Sequence, residues 1–145
     1  MTALLDVNVL VALAWPNHVH HRNARSWFEQ HGSSGWATCS ITENGFVRVS
    51  SNPKIVDEAR TPAEAVLLLQ RLVQVGAHRF WDDDVSIARA DEREIERIRG
   101  YRQVLDAHLI RLAVRHGGRL ATFDRKIAAL LPHEAERERY LVVLG

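Results

Sequence analysis

Four carboxylates fall where an α/β chain could gather them. Asp6 directly follows the apolar run Ala3-Leu4-Leu5, and Asp124 directly follows Arg119-Leu120-Ala121-Thr122-Phe123. Glu43 lies in the first turn of the helical segment after Trp36-Ala37-Thr38, and Asp106 in the first turns of the helix that precedes the Arg119 run. In open parallel sheets, ligands bind at the carboxyl ends of the strands, so one sheet edge could hold all four. An all-oxygen set of this kind suits a hard cation such as Mg²⁺ or Mn²⁺, which accepts a few carboxylates, keeps several waters and takes substrate phosphate as a further ligand. One such ion polarises a phosphoryl oxygen and lowers the pKa of a bound water; two ions ~3.5–4 Å apart clamp the attacking and leaving oxygens. The chemistry implied is phosphodiester hydrolysis without a protein nucleophile.

Each acid also has a structural reading. Asp is a favoured N-cap, so Asp6 and Asp124 serve equally well to start helices. Ser40-Ile41-Thr42-Glu43 matches the capping-box pattern, which gives Glu43 a structural role. Asp106 is harder to explain that way. Its helical neighbours are Leu109, Ile110 and Ala113, and those of Glu43 are Phe46 and Val47, so both project along apolar faces. An inward carboxylate is costly unless paired or bound to a cation, and no matching set of inward cations is apparent.

The elements that must position these acids follow from composition and pattern. The chain has 145 residues, one domain's worth, and is read as a single domain over residues 1–145. Its 46% apolar and 26% charged content excludes disordered and fibrous classes. No apolar run approaches the ~18–20 residues that span a bilayer. Met1-Thr2-Ala3-Leu4-Leu5-Asp6 has no basic leader and is interrupted by an acid, so no signal peptide is expected. Cys39 is the only cysteine, which excludes an intrachain disulfide and a Cys-rich zinc site. A cytoplasmic location is the expectation. The net charge is +1, less basic than a broad nucleic-acid face would make it, and it neither supports nor excludes such a substrate.

Short apolar runs alternate with helical periodicity. Strands are expected at residues 3–5, 36–38, 78–81, 119–123 and 140–144. Helices are expected at 7–14, stopped before Trp15-Pro16, at 20–31, and at roughly 40–50. Thr61-Pro62-Ala63-Glu64 is a strong start for a further helix closing at Gly76. Asp82-Asp83-Asp84 offers caps for a helix running to about Arg99, followed by helices at roughly 102–116 and 124–131. Strands separated by helices mean βαβ units and a parallel sheet of about five strands, flanked by α-helices on both faces. The fold class is α/β.

At this point the residues carry a family resemblance. Leu4-Leu5-Asp6-Val7-Asn8-Val9-Leu10 resembles the opening of PIN-domain ribonucleases. Thr38-x-x-x-x-Glu43, Val104-Leu105-Asp106-Ala107-His108-Leu109 and Ala121-Thr122-Phe123-Asp124 resemble the three later acidic motifs, in the same order. The similarity is to VapC-type toxins of bacterial toxin–antitoxin pairs and covers essentially the whole chain. It implies a PIN domain and a Mg²⁺-dependent endoribonuclease. Carried over by residue, Asp6, Glu43, Asp106 and Asp124 form the acidic quartet. Asp6 and Asp106 are then the direct metal ligands, and Glu43 and Asp124 complete the site directly or through water. Asn8 and Thr122 orient the acids or the water. The resemblance also implies an RNA substrate, a cognate VapB antitoxin and a homodimer.

Other features carry less. His18, His20 and His21 do not share one helical face, which favours a surface or substrate contact over a metal site. Asp82-Asp83-Asp84 is explained by capping. Arg89, Arg93 and Arg97 are interleaved with Glu92, Glu94 and Glu96, as on a solvated helix face with i,i+4 pairs. Arg102, one turn before Asp106, is a better candidate for the scissile phosphate, and Arg125 and Lys126 are comparable. Two competing functions are weighed. A haloacid-dehalogenase-type phosphatase wants a second Asp two residues after the first, where this chain has Asn8. A non-catalytic RNA- or protein-binding module with the same fold would be favoured by loss of a quartet acid, and all four are present.

Overall fold

Strands this short have their two faces set by a single alternation of side chains. The computed structural model describes residues 1–145. Its strands are β1 (Ala3–Leu5), β2 (Trp36–Cys39), β3 (His78–Trp81), β4 (Arg119–Thr122) and β5 (Leu141–Val143). All pair in parallel, in the order β3-β2-β1-β4-β5. Ala3 pairs with Trp36, and Leu5 with Ala121; these four enter one buried cluster. Leu4, Ala37, Cys39 and Leu120 point the other way into a second. Full burial of a side chain such as Leu4 contributes about 1.5–3 kcal/mol.

Helices cover both faces, as expected of a parallel sheet. On the first lie α1 (Val7–Ala14), α2 (His21–His31), α3 (Ser40–Ser50) and α4 (Pro62–Leu72), which bring in Val9, Leu10, Phe46 and Leu69. On the second, α6 (Val104–Arg115) supplies Leu109, Ile110 and Leu112, and a 3-10 turn at Arg125–Leu130 supplies Ile127 and Leu130. The short helices α5 (Glu92–Arg97) and α7 (Glu134–Tyr140) flank that layer. From β1 the chain adds β2 and β3 on one side, then returns to add β4 and β5 on the other. The crevice at this reversal opens between the carboxyl ends of β1 and β4, where Asp6 and Asp124 follow their strands.

Two glycines permit the packing. A Cβ on Gly45 would lie 2.5 Å from Val7 Cγ2, so its absence lets α3 close on α1. Gly117, at φ +70°, ends α6 in the left-handed conformation. The Gly118 N–H then returns to the Ala113 carbonyl, and the chain turns directly into β4.

The structure departs from the sequence-based expectation in places. Asp82-Asp83-Asp84 does not start a helix running to Arg99; a 3-10 turn at Ile87–Arg89 and the short α5, capped by Asp91, stand there instead. The competing interactions are tertiary. His108 Nε2 lies 2.7 Å from Asp83 Oδ1, and Arg115 and His116 lie at 3.3 and 3.1 Å from Asp84. Arg89, Arg93 and Arg97 make no i,i+4 pairs among themselves and their glutamates. Arg97 forms a two-pronged pair with Glu136 of α7, and Arg111 of α6 pairs with Glu94. Helix α7 has no apolar stripe to betray it. Glu134 and Glu136 in its first turn and Arg137 and Arg139 in its last complement the helix dipole. The segment after Asp124 is a 3-10 turn rather than an α-helix, β4 ends at Thr122, and β5 spans only Leu141–Val143.

Candidate active site

Asp6 is the buried acid of the group, 8% exposed. As N-cap of α1, its Oδ1 accepts the Val7 N–H at 2.8 Å, and its Oδ2 accepts the Thr122 hydroxyl at 2.7 Å. Capping by such a side chain stabilises by about 0.5–2 kcal/mol, so the structural reading of Asp6 is correct as far as it goes. Capping leaves lone pairs on both carboxylate oxygens. Burial nonetheless raises the Asp6 pKa; its two hydrogen bonds oppose the shift, and the charge of Asp124 adds to it.

Thr122, fully buried, is the hub of a small network. Its hydroxyl donates to Asp6 and accepts from the Asp124 N–H at 3.0 Å and the Asn8 Nδ2 at 3.2 Å. The Asn8 Oδ1 in turn accepts the Phe123 N–H at 3.2 Å. One donor and two acceptor positions exhaust a hydroxyl, so Thr122 fixes Asp6, Asn8 and the backbone of Asp124 together. Asp124 caps the following 3-10 turn through the Lys126 N–H at 2.9 Å.

Asp106 approaches from α6. Its pKa is raised to about 6, first by burial, then by the negative charges of Asp6 and Asp124. The three aspartates, from β1, β4 and α6, therefore lie within reach of one another's charge. None of them, nor Glu43, has a Lys, Arg or His within ion-pairing distance. As the side chains stand, no three acids, histidines or cysteines converge on one ligating point.

Glu43 belongs to a different hydrogen-bond network from Asp6 and Asp124. The capping box of α3 is built by Cys39 and Thr42, which leaves Glu43 out of it. The Glu43 carboxylate accepts the Thr38 hydroxyl at 2.6 Å. The Thr38 oxygen lies 2.8 Å from His78 Nε2. Because Thr38 gives its proton to Glu43, His78 donates through Nε2. Burial lowers the His78 pKa, against the pull of Glu43. Thr38 entered the sequence motif without a role, and His78 was missed. The register that pairs Trp36 with His78, two residues before Thr38, was not legible without the sheet.

Of the remaining candidates, Arg102 is exposed, and its Nε donates to the Tyr101 hydroxyl. Arg125 and Lys126 are exposed beside Asp124. The histidines divide: His21 Nδ1 meets the Ala12 carbonyl at 2.8 Å and ties α2 to α1, His18 Nδ1 accepts the His20 N–H, and His20 stacks on Phe123. They gather no metal site. The carboxylates of Asp83 and Asp84 are engaged by α6.

Comparison with known proteins agrees with this architecture. The family profile described as PIN domain matches residues 3–130. Ribonuclease VapC39 of Mycobacterium tuberculosis is 51% identical over 128 residues, covering 88% of this chain and 92% of the relative. Ribonuclease VapC38 of the same organism is 54% identical over 128 residues, covering 88% and 89%. Among solved structures, the crystal structure of VapBC2 from Rickettsia felis, bound to a DNA fragment from their promoter, aligns over the full length of both chains. Its TM-score is 0.62 at 12% identity, a likeness of fold. The chain belongs to the PIN-domain family, among its VapC-type toxins.

Proposed function

We propose that this chain is a divalent-metal-dependent endoribonuclease, the toxin of a VapBC pair. The observation that carries the reading is the mutual charge of Asp6, Asp106 and Asp124, buried or half-buried together with no protein cation among them. A carboxylate held at such a cost marks a site where a cation is meant to act. The high identity to chains named ribonucleases supports RNA as the substrate.

The donor set fits Mg²⁺ or Mn²⁺, being all carboxylate oxygen. Asp6 and Asp106 are the proposed direct ligands, with Asp124 and Glu43 completing the site directly or through water. When bound, the cation supplies Lewis-acid polarisation of the phosphate and lowers the pKa of water. The protein's own residues set the stage. Thr122 and Asn8 hold Asp6 and the Asp124 backbone in register. Glu43, held by Thr38, is the proposed acceptor of a proton from an attacking water. Arg102 is the proposed cation for the scissile phosphate.

A VapB antitoxin is the proposed regulator, and a homodimer the proposed assembly. The half-exposed Val66 and Leu67 of α4 (40% and 54%) offer apolar surface for either contact. The test is cleavage of total RNA by the purified chain in Mg²⁺ and in excess chelator, beside Asp6→Ala. Discrete products in Mg²⁺ alone, lost in the variant, are expected. Cleavage that survives both chelator and substitution would mean a contaminating nuclease or a site elsewhere, and would return Asp6 and Asp124 to helix capping.

A further inference from the structure

The ring of Phe123 occupies an unusual place. Its residue lies between Thr122, which holds Asp6, and Asp124, and its backbone N–H is gripped by Asn8. Its backbone is therefore fixed to the site. The His20 ring stacks on it, with centroids 4.5 Å apart and planes at 15°. His20 itself is exposed, just before the first turn of α2. His18 borders the same shelf, its centroid 5.8 Å from that of His20 and its ring tilted by 41°. The backbone here is fixed from both sides: His21 bonds the Ala12 carbonyl of α1, and His18 takes the His20 N–H.

A purely packing role would explain an aromatic residue at 123, which adjoins the first core cluster. It does not explain why the covering residue is a flat, solvent-facing ring stacked nearly parallel. A planar ring extended by a second, on the residue between Thr122 and Asp124, is the construction on which an unpaired base stacks. The neighbouring cations Arg125 and Lys126 leave the flanking backbone phosphates a place to lie.

We propose that His20, backed by Phe123, forms a nucleobase subsite that takes an unpaired base of the RNA strand next to the scissile phosphate. The inference rests on the ribonuclease reading and deepens it. Stacking reads the π-face rather than the base edges, so the subsite selects single-stranded over paired RNA and tolerates different bases. It also requires only an aromatic plane at position 20, with no proton transfer.

The test uses the full-length chain carrying Asp106→Asn, to hold RNA without turnover. The probe is a single-stranded RNA of about 12 nucleotides with 2-aminopurine at successive positions. The expected result is quenching at one position. His20→Ala abolishes that quenching and weakens binding roughly tenfold, with the melting temperature little changed. His20→Trp restores both quenching and affinity. Duplex RNA of the same sequence shows no quenching. If His20→Ala binds and quenches as well as its parent, the subsite is wrong and the stack merely docks α2. The same conclusion follows if His20→Trp fails to rescue while its melting temperature stays at the parent's. The nuclease reading fails separately. Cleavage by the unsubstituted chain with His20-independent binding sinks the subsite alone; His20-dependent binding without any cleavage sinks the nuclease alone; an RNA neither bound nor cleaved sinks both.

Discussion

The Thr122 hydroxyl donates to Asp6 Oδ2 at 2.7 Å and so ties the end of β4 to the end of β1 across 116 residues of chain. It also accepts from Asn8 and from the Asp124 backbone, which makes one buried hydroxyl the reference point for two of the four acids. Thr122→Val keeps the volume and removes all three bonds. Leaving these buried partners unsatisfied is expected to cost on the order of 1–3 kcal/mol. Misplacement of Asp6 should lower RNA cleavage by roughly 10- to 100-fold. Thr122→Ser, which keeps the hydroxyl, should recover most of both. Thermal melts and initial cleavage rates of the two variants check this; equal loss in Ser and Val would put the effect in packing rather than in the hydrogen bonds.

The raised pKa of Asp106 makes a prediction about the metal-free chain. Its folded value, about 6, lies above the ordinary 3.8, so the folded state holds the proton more tightly than the unfolded one. The contribution to stability is therefore full below about pH 4 and is lost as pH rises through 6. Asp6, shifted the same way, adds to the slope. Asp106 is only half-buried, so solvent screening limits its share to on the order of 1 kcal/mol. Asp106→Asn should then melt about 2–4 °C higher than the unsubstituted chain at pH 7.5, with the gain vanishing below about pH 4. Chelator-treated protein melted across this range tests it. A variant less stable at pH 7.5 would mean that the carboxylate is held by something other than mutual repulsion and burial.

Metal binding should separate Glu43 from the three aspartates. Ligand that binds only the folded state stabilises by RT ln(1 + [L]/Kd), about 2.7 kcal/mol at a hundredfold excess over Kd. Mg²⁺ or Mn²⁺ at pH 7.5 should therefore raise the melting temperature by several degrees. Asp6→Asn and Asp106→Asn should abolish the rise. Glu43→Gln should keep most of it yet lose cleavage, because the Glu43 carboxylate is already engaged by the Thr38 hydroxyl. A melting shift lost equally in all three variants would instead make Glu43 a full ligand.

Much of this was legible in the sequence, because the cues were local. The run Ala3-Leu4-Leu5 before an acid, the Thr61-Pro62-Ala63-Glu64 cap and the paired glycines at 117 and 118 each announce an element without help from the rest of the chain. What escaped depended on partners distant in sequence. Asp83 and Asp84 look like caps until His108, His116 and Arg115 claim them. Helix α7 is polar throughout and is held through Glu136 by Arg97, 39 residues earlier. Glu43 looked like half of a capping box, yet Cys39 and Thr42 had already closed it. The stack of His20 on Phe123 likewise joins residues that no periodicity connects.

Gly45 tests whether the α1–α3 contact sets the place of Glu43, two residues away on the same helix. An alanine methyl there would sit 2.5 Å from Val7 Cγ2, well inside contact distance, and Val7 immediately follows Asp6. Either α3 backs away, carrying Glu43 with it, or Val7 is displaced against the capped start of α1. Overpacking of this kind costs about 1–3 kcal/mol. Gly45→Ala should therefore lower the melting temperature and reduce cleavage together. Adding Val7→Ala opens the space again, so the double variant should regain cleavage even though it forfeits the half-buried valine methyls. The interaction energy from the double-mutant cycle should be favourable, on the order of 1 kcal/mol. Strictly additive losses would show that the two helices adjust independently and that Gly45 does not govern the site.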